Sequence, residues 1–192
     1  MIRIDFKAAT ALFVVGAIVA PVGDHAHVVT GTTRYLVDNV PFVWGSPVWF
    51  PVLVGLATVG LAELRLHLPA PRTTPTVRQG VAGIAAVIGT YVVTALGVGS
   101  QIAPLTALIA ALAALVWTAL GDWQGALCGV VIAVVGPAVE IALTKSAVFE
   151  YTASRDGLWG VAPWLPPLYF AFGVVAALLG ELAYKRRAAD RA

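Results

Sequence analysis

The sequence predicts an all-α, polytopic membrane protein with six transmembrane helices, and three observations support that prediction. First, 59% of the 192 residues are hydrophobic and only 11% are charged, with a mean hydropathy of +0.88. A soluble domain of this size has about a quarter of its residues charged, so this chain cannot cover a globule with polar surface. Second, apolar segments recur at lengths that cross a bilayer. Third, the basic residues concentrate on one side of those segments.

Six apolar segments form the predicted single domain over residues 1–192. Most have about 17 to 24 residues, enough to cross ~30 Å of hydrocarbon at ~1.5 Å per residue. The first segment could instead be a signal peptide, because a short apolar run follows a basic start. Ile18 fits poorly before a cleavage at Ala20, so we favour a retained helix. The predicted spans are residues 8–22, 47–64, 80–96, 103–120, 125–148 and 163–184.

The distribution of Lys and Arg predicts the orientation. With the N-terminus inside, nine of the twelve basic residues fall on the inner side. Positive charge stays cytoplasmic, so we predict that both termini are cytoplasmic. An excess of Arg over Lys, with abundant Ala, Val and Gly, suggests a bacterial source and hence the bacterial inner membrane. The nine inner residues are Arg3, Lys7, Arg65, Arg72, Arg78, Lys185, Arg186, Arg187 and Arg191, and the three outer ones are Arg34, Lys145 and Arg155.

Six tryptophans fit the same frame, because tryptophan is enriched at membrane interfaces. Those predicted at the outer interface are Trp44, Trp49, Trp159 and Trp164, and those predicted at the inner interface are Trp117 and Trp123. The segment 23–46 is predicted as a long outer loop. The connection 97–102 is so short that helices 3 and 4 must form an antiparallel hairpin.

Rows of small residues predict how the helices associate, since close backbone approach replaces the hydrophobic effect inside lipid. Helix 4 carries two such rows on different faces, which allows packing on both sides. We therefore expect a homo-oligomer formed through helices 3 and 4. The two rows are Ala103, Ala107 and Ala111, and Ala110, Ala114 and Thr118.

Glu140 is the one acidic residue well inside a predicted span. It lies fifteen residues after Gly125, about 22 Å across the bilayer, and Pro137 is predicted to kink the helix nearby. A carboxylate at the bilayer centre costs ~2.5–3.5 kcal/mol on insertion scales. Two interpretations stay open: a polar point lining a lipid or ligand cavity, or a carboxylate near the outer interface that reaches water or a hydroxyl.

The other polar residues give weaker signals. Asp24, His25 and His27 could ligate a metal, but such a pattern in an outer loop rarely does, and we predict no metal site. Asp122 is expected to cap the start of helix 5, with partner binding as the alternative. Cys128 is the only cysteine. The chain shows no nucleophile–base pair and no phosphate- or dinucleotide-binding motif, so we predict no enzyme activity, no cofactor and no nucleic acid partner.

Several short motifs in order resemble the Insig family, the insulin-induced-gene membrane proteins. The resemblance covers roughly residues 44–184. The residues that match the family's motifs are Trp49, Pro51 and Gly55 at the start of helix 2; Arg65, His67 and Leu68 at its end; Trp117 and Thr118; Gly125 and Gly129; Glu150, Tyr151 and Thr152; and Trp164, Leu165, Pro166, Phe170, Ala171, Gly173 and Gly180.

This resemblance implies an Insig-like bundle of six helices that is not an enzyme and holds a lipid-accessible central cavity. Eukaryotic members bind oxysterols and retain Scap and HMG-CoA reductase. Here the acidic residue that the family places after its Trp-Thr motif is Leu120, with Asp122 two residues later, and residues 95–97 replace a polar Asn/His region. We therefore carry over the cavity and its lipid, but not the sterol-regulatory partner roles.

We accordingly predict an Insig-like membrane protein that binds a diacylglycerol-like or sterol-like lipid among helices 2 to 6. The predicted lipid-binding residues are Gly55, Thr58, Tyr91, Thr94, Trp117, Glu140 and Tyr169. Two alternatives remain: a small transporter or channel that uses Glu140 as its intramembrane polar site, and a scaffold subunit for another membrane protein. The lack of an inverted repeat disfavours the transporter.

Overall fold

The computed structural model describes residues 4–72, 74–152 and 154–189, and of residues 186–189 the backbone alone. Arg3 and Arg191, used above to predict orientation, lie outside the described residues. Within this part of the chain, six helices are each long and apolar enough to cross a membrane, which confirms the predicted fold class. They are α1 Phe6–Thr30, α2 Trp49–His67, α3 Val77–Leu96, α4 Ile102–Leu120, α5 Trp123–Lys145 and α6 Leu165–Ala189.

Helix α6 is the centre of the bundle. It is the most buried span and contacts each of the other five helices. Ala171, Val174 and Ala177 are almost completely buried on it. A 3₁₀ turn, Gly97–Gly99, joins α3 to α4. That the helices form one domain over the whole chain stays a prediction.

Close contacts between small residues hold the helix pairs together. The Cβ of an alanine at Gly173 of α6 would lie 2.7 Å from the backbone of Gly129 on α5. A Cβ at Gly180 would lie 2.8 Å from the backbone of Ala62 on α2. At such crossings only a missing side chain lets the backbones meet, as lipid-embedded helices require.

Helix α1 continues eight residues beyond the predicted end of its span at residue 22, so the expected outer loop 23–46 begins inside a helix. Pro21 lies within α1 and Gly23 does not end it. The helix stops at Gly31, whose φ of 70° only glycine adopts freely, and whose N–H donates to the carbonyls of His27 and Val28. The extension places Asp24 and His27 inside the bundle, where both are buried.

A short antiparallel ribbon, which the sequence did not predict, closes one end of the bundle. Strand β1 (Thr33–Tyr35), after α1, pairs with strand β4 (Phe149–Tyr151), after α5. Two further short strands, β2 (Phe42–Val43) and β3 (Ser46–Pro47), form a hairpin before α2. We call the end with the β1–β4 ribbon the sheet end, and the end where α1 begins and α6 finishes the terminal end.

Trp164 departs from its predicted place at the outer interface. Its side chain is completely buried beside the guanidinium of Arg155, which lies 5.7 Å from the centre of the ring. Arg155 itself is buried and donates to the carbonyl of Val98, in the α3–α4 turn. Through Arg155, Trp164 thus connects the start of α6 to the α3–α4 turn. By contrast, Trp44 and Trp159 are largely exposed.

Candidate functional site: a cavity with carboxylates at one end

Two adjoining cavities lie in the centre of the bundle, a lower one of about 80 Å³ and an upper one of about 120 Å³. The upper cavity lies at the sheet end, and the lower cavity continues from it towards the terminal end. The residues that line both are Phe50, Val54, Tyr91, Glu140, Tyr169 and Phe172. The two spaces therefore form one elongated site.

The lower cavity is apolar for most of its length. Apart from Tyr91, Glu140 and Tyr169 at the junction, Thr58 is its one polar lining side chain among the described residues. The Thr58 hydroxyl already donates to the carbonyl of Val54 at 2.8 Å within α2. Such walls suit the methylene groups and rings of a lipid.

The upper cavity carries a buried carboxylate, Asp24, on the extension of α1. Its Oδ2 accepts hydrogen bonds from the Tyr35 hydroxyl at 2.8 Å and from the Ser46 hydroxyl. Tyr35 lies on the β1–β4 ribbon and Ser46 on the β2–β3 hairpin, so the elements at the sheet end hold Asp24 in place.

Glu140, on α5, is the second carboxylate. Its two oxygens accept hydrogen bonds from the Tyr151 hydroxyl at 2.7 Å and from the Tyr169 hydroxyl at 2.5 Å. Each carboxylate oxygen can accept two hydrogen bonds, so one position on each oxygen stays open to a further donor. Both Asp24 and Glu140 line the upper cavity.

The tyrosines of the ribbon are protonated donors. Burial, strengthened by the Asp24 carboxylate, raises the pKa of Tyr35, and burial strengthened by Glu140 raises the pKa of Tyr151 well above its usual range. Each hydroxyl therefore keeps its proton and directs it at a carboxylate. What the two carboxylates offer a ligand is acceptor capacity.

His27 and Tyr91 join α1 to α3 beside the upper cavity. His27 Nε2 lies 2.7 Å from the Thr94 hydroxyl, and its ring meets the edge of the Tyr91 ring at 4.7 Å between centroids. The Tyr91 ring lies directly on Gly23, where an added Cβ would come within 1.7 Å of it. Gly23 is thus required for the helices to approach here.

Four of the seven predicted lipid-binding residues line the cavity: Thr58, Tyr91, Glu140 and Tyr169. The other three take other positions. Gly55 packs against Phe13 of α1. The Thr94 hydroxyl contacts His27. Trp117 donates from Nε1 to the carbonyl of Asp122 at 3.0 Å, at the terminal end. The binding role of all seven stays a prediction.

The polar residues that line the cavity and that sequence reasoning did not assign to it include Asp24, His27, Tyr35 and Tyr151. The signal was present in part: Asp24 and His27 are three residues apart and share one face of a helix, while His25 faces outward and contacts the carbonyl of Trp44. This divergence also separates the candidate metal ligands. Among the described residues no three potential ligands converge.

A buried ionic cluster closes the terminal end. The Arg65 guanidinium lies 2.8 Å from Asp122 and 2.5 Å from Glu181, and Arg72 lies 2.8 Å from Glu181. The side chains of Arg65 and Glu181 are completely buried. Asp122 also accepts from the N–H of Gly125 at 2.7 Å, so it caps α5 as expected. Its predicted role in partner binding stays a prediction.

The fold and the cavity define a class: six-helix integral membrane proteins with an internal apolar cavity and a polar end. No family model matches the chain. It is 64% identical over 185 residues to the INSIG protein homolog of Mycolicibacterium vanbaalenii, covering 96% of this chain and 91% of that protein. The chain belongs to the Insig family, as the resemblance predicted.

Two solved structures agree with this assignment. A crystal structure of MvINS, the mycobacterial Insig homologue from Mycobacterium vanbaalenii, is 64% identical and superposes with a TM-score of 0.95. A crystal structure of a cross-linked MvINS trimer is 63% identical, also with a TM-score of 0.95. Each comparison covers 96% of this chain and 98% of the MvINS chain.

Proposed function

We propose that this protein binds an uncharged membrane lipid that carries a free hydroxyl group, of the diacylglycerol-like or sterol-like type, and that it is not an enzyme. The lipid hydroxyl donates to Asp24 or Glu140 in the upper cavity, and its apolar part fills the lower cavity. The observation that carries the proposal is this division of one elongated cavity into an acceptor-rich end and an apolar remainder.

The charges of the lining residues support an uncharged headgroup. Two carboxylates line the upper cavity, and no Lys or Arg is among the described residues lining either cavity. A phosphate would lie in a low-dielectric site without a cation to pair with among these residues, which is strongly unfavourable. A hydroxyl supplies the donor that the remaining acceptor positions require.

The transporter alternative has less support. Glu140 accepts hydrogen bonds from two tyrosines, and beyond this junction Thr58 supplies the one polar side chain that the described part of the lower cavity offers an ion. The scaffold alternative rests on Asp122, whose carboxylate pairs with Arg65 of the same chain. Both observations favour a lipid ligand.

Replacing the Glu140 carboxylate tests the proposal. We expect Glu140→Leu to weaken binding of a diacylglycerol in nanodiscs by roughly tenfold or more, because a hydrogen bond to a charged group contributes ~1.5–3 kcal/mol. The matched ligand is the same lipid with its hydroxyl methylated. The wild-type protein should prefer the free hydroxyl, and Glu140→Leu should show a smaller preference, because Asp24 is then the carboxylate that remains in the upper cavity. Equal binding of both by the wild-type protein would contradict the proposal.

We also propose a homo-oligomer formed through α3 and α4, with both termini cytoplasmic in a bacterial inner membrane. The cross-linked MvINS trimer supports oligomerisation. In this chain, Ala103, Ala107, Ala111 and Ala114 of α4 are all exposed. Nine basic residues on the inner side support the orientation.

Ala107→Trp should dissociate the oligomer, because the indole keeps the helix backbones from approaching. Native mass spectrometry in mild detergent is expected to show monomers for this variant and oligomers for the wild-type protein. The control is Ala138→Trp, at an exposed alanine of α5. Oligomers that survive Ala107→Trp would place the interface elsewhere.

A further inference from the structure

A groove between α1 and α3 opens at the terminal end of the bundle, below the lower cavity. We call it the α1–α3 groove. Its mouth carries Asp5 and Lys7, at the start of α1. The lining residues deeper in the groove are apolar: Ala8, Ala11, Leu12 and Val15 of α1; Val77, Gly80, Val81 and Ile84 of α3; and Leu179, Leu182 and Ala183 of α6.

The groove is continuous with the lower cavity. Val15, Ile84 and Leu179 line both spaces, one residue from each of the three helices that meet there. Along α1 the lining residues follow one sequence order, from residues 5–15 in the groove to 15–20 in the lower cavity and 24–27 in the upper cavity. One apolar track therefore leads from the carboxylates to the terminal end.

Helices α1 and α3 are in close contact towards the sheet end. There the Tyr91 ring lies on Gly23, and His27 reaches Thr94. Towards the terminal end the facing residues are exposed: Ala11 on α1, and Val81 with 61% of its side chain accessible. The two helices thus form a wedge that is open to the hydrocarbon of the adjacent leaflet.

The cavity part of the track is about as long as the hydrocarbon of one leaflet is thick. From Asp24 to Val15, where cavity and groove meet, nine helical residues span ~14 Å. This is close to the ~15 Å of hydrocarbon in half a bilayer. A lipid whose headgroup lies at Asp24 therefore fills the lower cavity with most of an acyl chain, and a longer chain has to leave past Val15, Ile84 and Leu179.

We propose that the α1–α3 groove is an acyl-chain site, which receives the end of the longest chain of the lipid bound in the cavity. The proposal rests on the proposed function. Moving the end of an acyl chain from the surrounding lipid into the groove adds no hydrophobic gain, because both environments are apolar. The groove therefore affects which chain lengths bind through the space that it provides. The Asp5 carboxylate accepts a hydrogen bond from the N–H of Ala8 and caps the start of α1. Asp5 at the mouth of the groove therefore stabilises the helix and does not form a second headgroup site.

Tryptophan substitutions at two depths test this site. Ile84→Trp fills the junction, and Ala11→Trp fills the groove further from the carboxylates. Binding of didecanoyl-, dimyristoyl- and distearoylglycerol is measured in nanodiscs. The wild-type protein should bind all three with similar affinity. Ile84→Trp, which also narrows the lower cavity at the junction, should weaken the binding of distearoylglycerol by about tenfold, the scale of an overpacking penalty, and weaken the binding of didecanoylglycerol less. Ala11→Trp should weaken the binding of distearoylglycerol alone, and by a smaller factor than Ile84→Trp does.

The control is Ala138→Trp, an exposed alanine of α5 that lines neither cavity nor groove; it should bind all three lipids as the wild-type protein does. Retained didecanoylglycerol binding shows that a variant is folded. Equal losses for short and long chains in both groove variants, or no loss in either, would overturn the acyl-chain site while leaving the proposed function intact. A wild-type protein that binds none of the three would overturn the acyl-chain site and the diacylglycerol-like form of the proposed function, and would leave its sterol-like form.

Discussion

Arg65→Leu should lower the free energy of unfolding by about 3–5 kcal/mol, the usual effect of removing one partner from a buried ion pair. Arg65 is completely buried and lies between Asp122 and Glu181, at 2.8 and 2.5 Å. Without it, Glu181 stays buried with Arg72 as its one remaining cation among the described residues. The loss of stability therefore comes from a buried Glu181 carboxylate that has lost one of its two arginine partners. Unfolding by SDS in mixed micelles measures it.

Arg34→Leu is the matched control. It removes an arginine from another ion pair, with Glu150, but 73% of the Arg34 side chain is accessible to solvent. Exposed pairs contribute ~0–1 kcal/mol, so this variant should unfold close to the wild-type protein. Equal effects of Arg65→Leu and Arg34→Leu would contradict a buried ionic cluster at the terminal end.

Gly173→Ala should destabilise the bundle by about 1–3 kcal/mol, the range for overpacking a closed interface. The added methyl would lie 2.7 Å from the carbonyl oxygen of Cys128 and from Gly129 Cα, both backbone atoms of α5 that cannot rotate away. Helices α5 and α6 must therefore separate. Since Glu140 lies on α5 and its donor Tyr169 on α6, lipid binding should fall as well.

Gly60→Ala provides the comparison for that prediction. Gly60 lies on α2 with open space around it, so a methyl there meets no neighbour. Alanine is favoured over glycine in a helix by up to ~1 kcal/mol, and the variant should be as stable as the wild-type protein or slightly more. Thermal unfolding in detergent distinguishes the two. A Gly173→Ala protein as stable as Gly60→Ala would show that the α5–α6 contact is looser than described.

The sequence predicted the six helices because their signal is composition summed over about 20 residues, and bilayer thickness sets that length independently of tertiary contacts. It also predicted Glu140, since an acid inside an apolar span is conspicuous. The capping role of Asp122 followed from one local rule. Each of these inferences needed only neighbouring residues.

What the sequence did not predict depends on contacts between distant residues. Helix α1 continues past Pro21 and Gly23 because its last turns are held by distant residues. Asp24 accepts hydrogen bonds from Tyr35 and Ser46, and His27 contacts the Thr94 hydroxyl. No local sequence pattern reveals these contacts. The β1–β4 ribbon joins residues more than a hundred positions apart. Trp164 looked interfacial by type, but Arg155 covers it. Long-range contacts of this kind also form the polar end of the cavity, so the sequence predicted little of it beyond Glu140.

The most direct test of a lipid site with a carboxylate end is the lipid that remains with the gently purified protein, identified by mass spectrometry against the total membrane extract. The account predicts about one uncharged, hydroxyl-bearing lipid per chain, enriched over the membrane, and lost in Val54→Trp, which fills the cavity where its two halves meet. Bound lipid with the composition of the bulk membrane, in equal amount in both proteins, would contradict it.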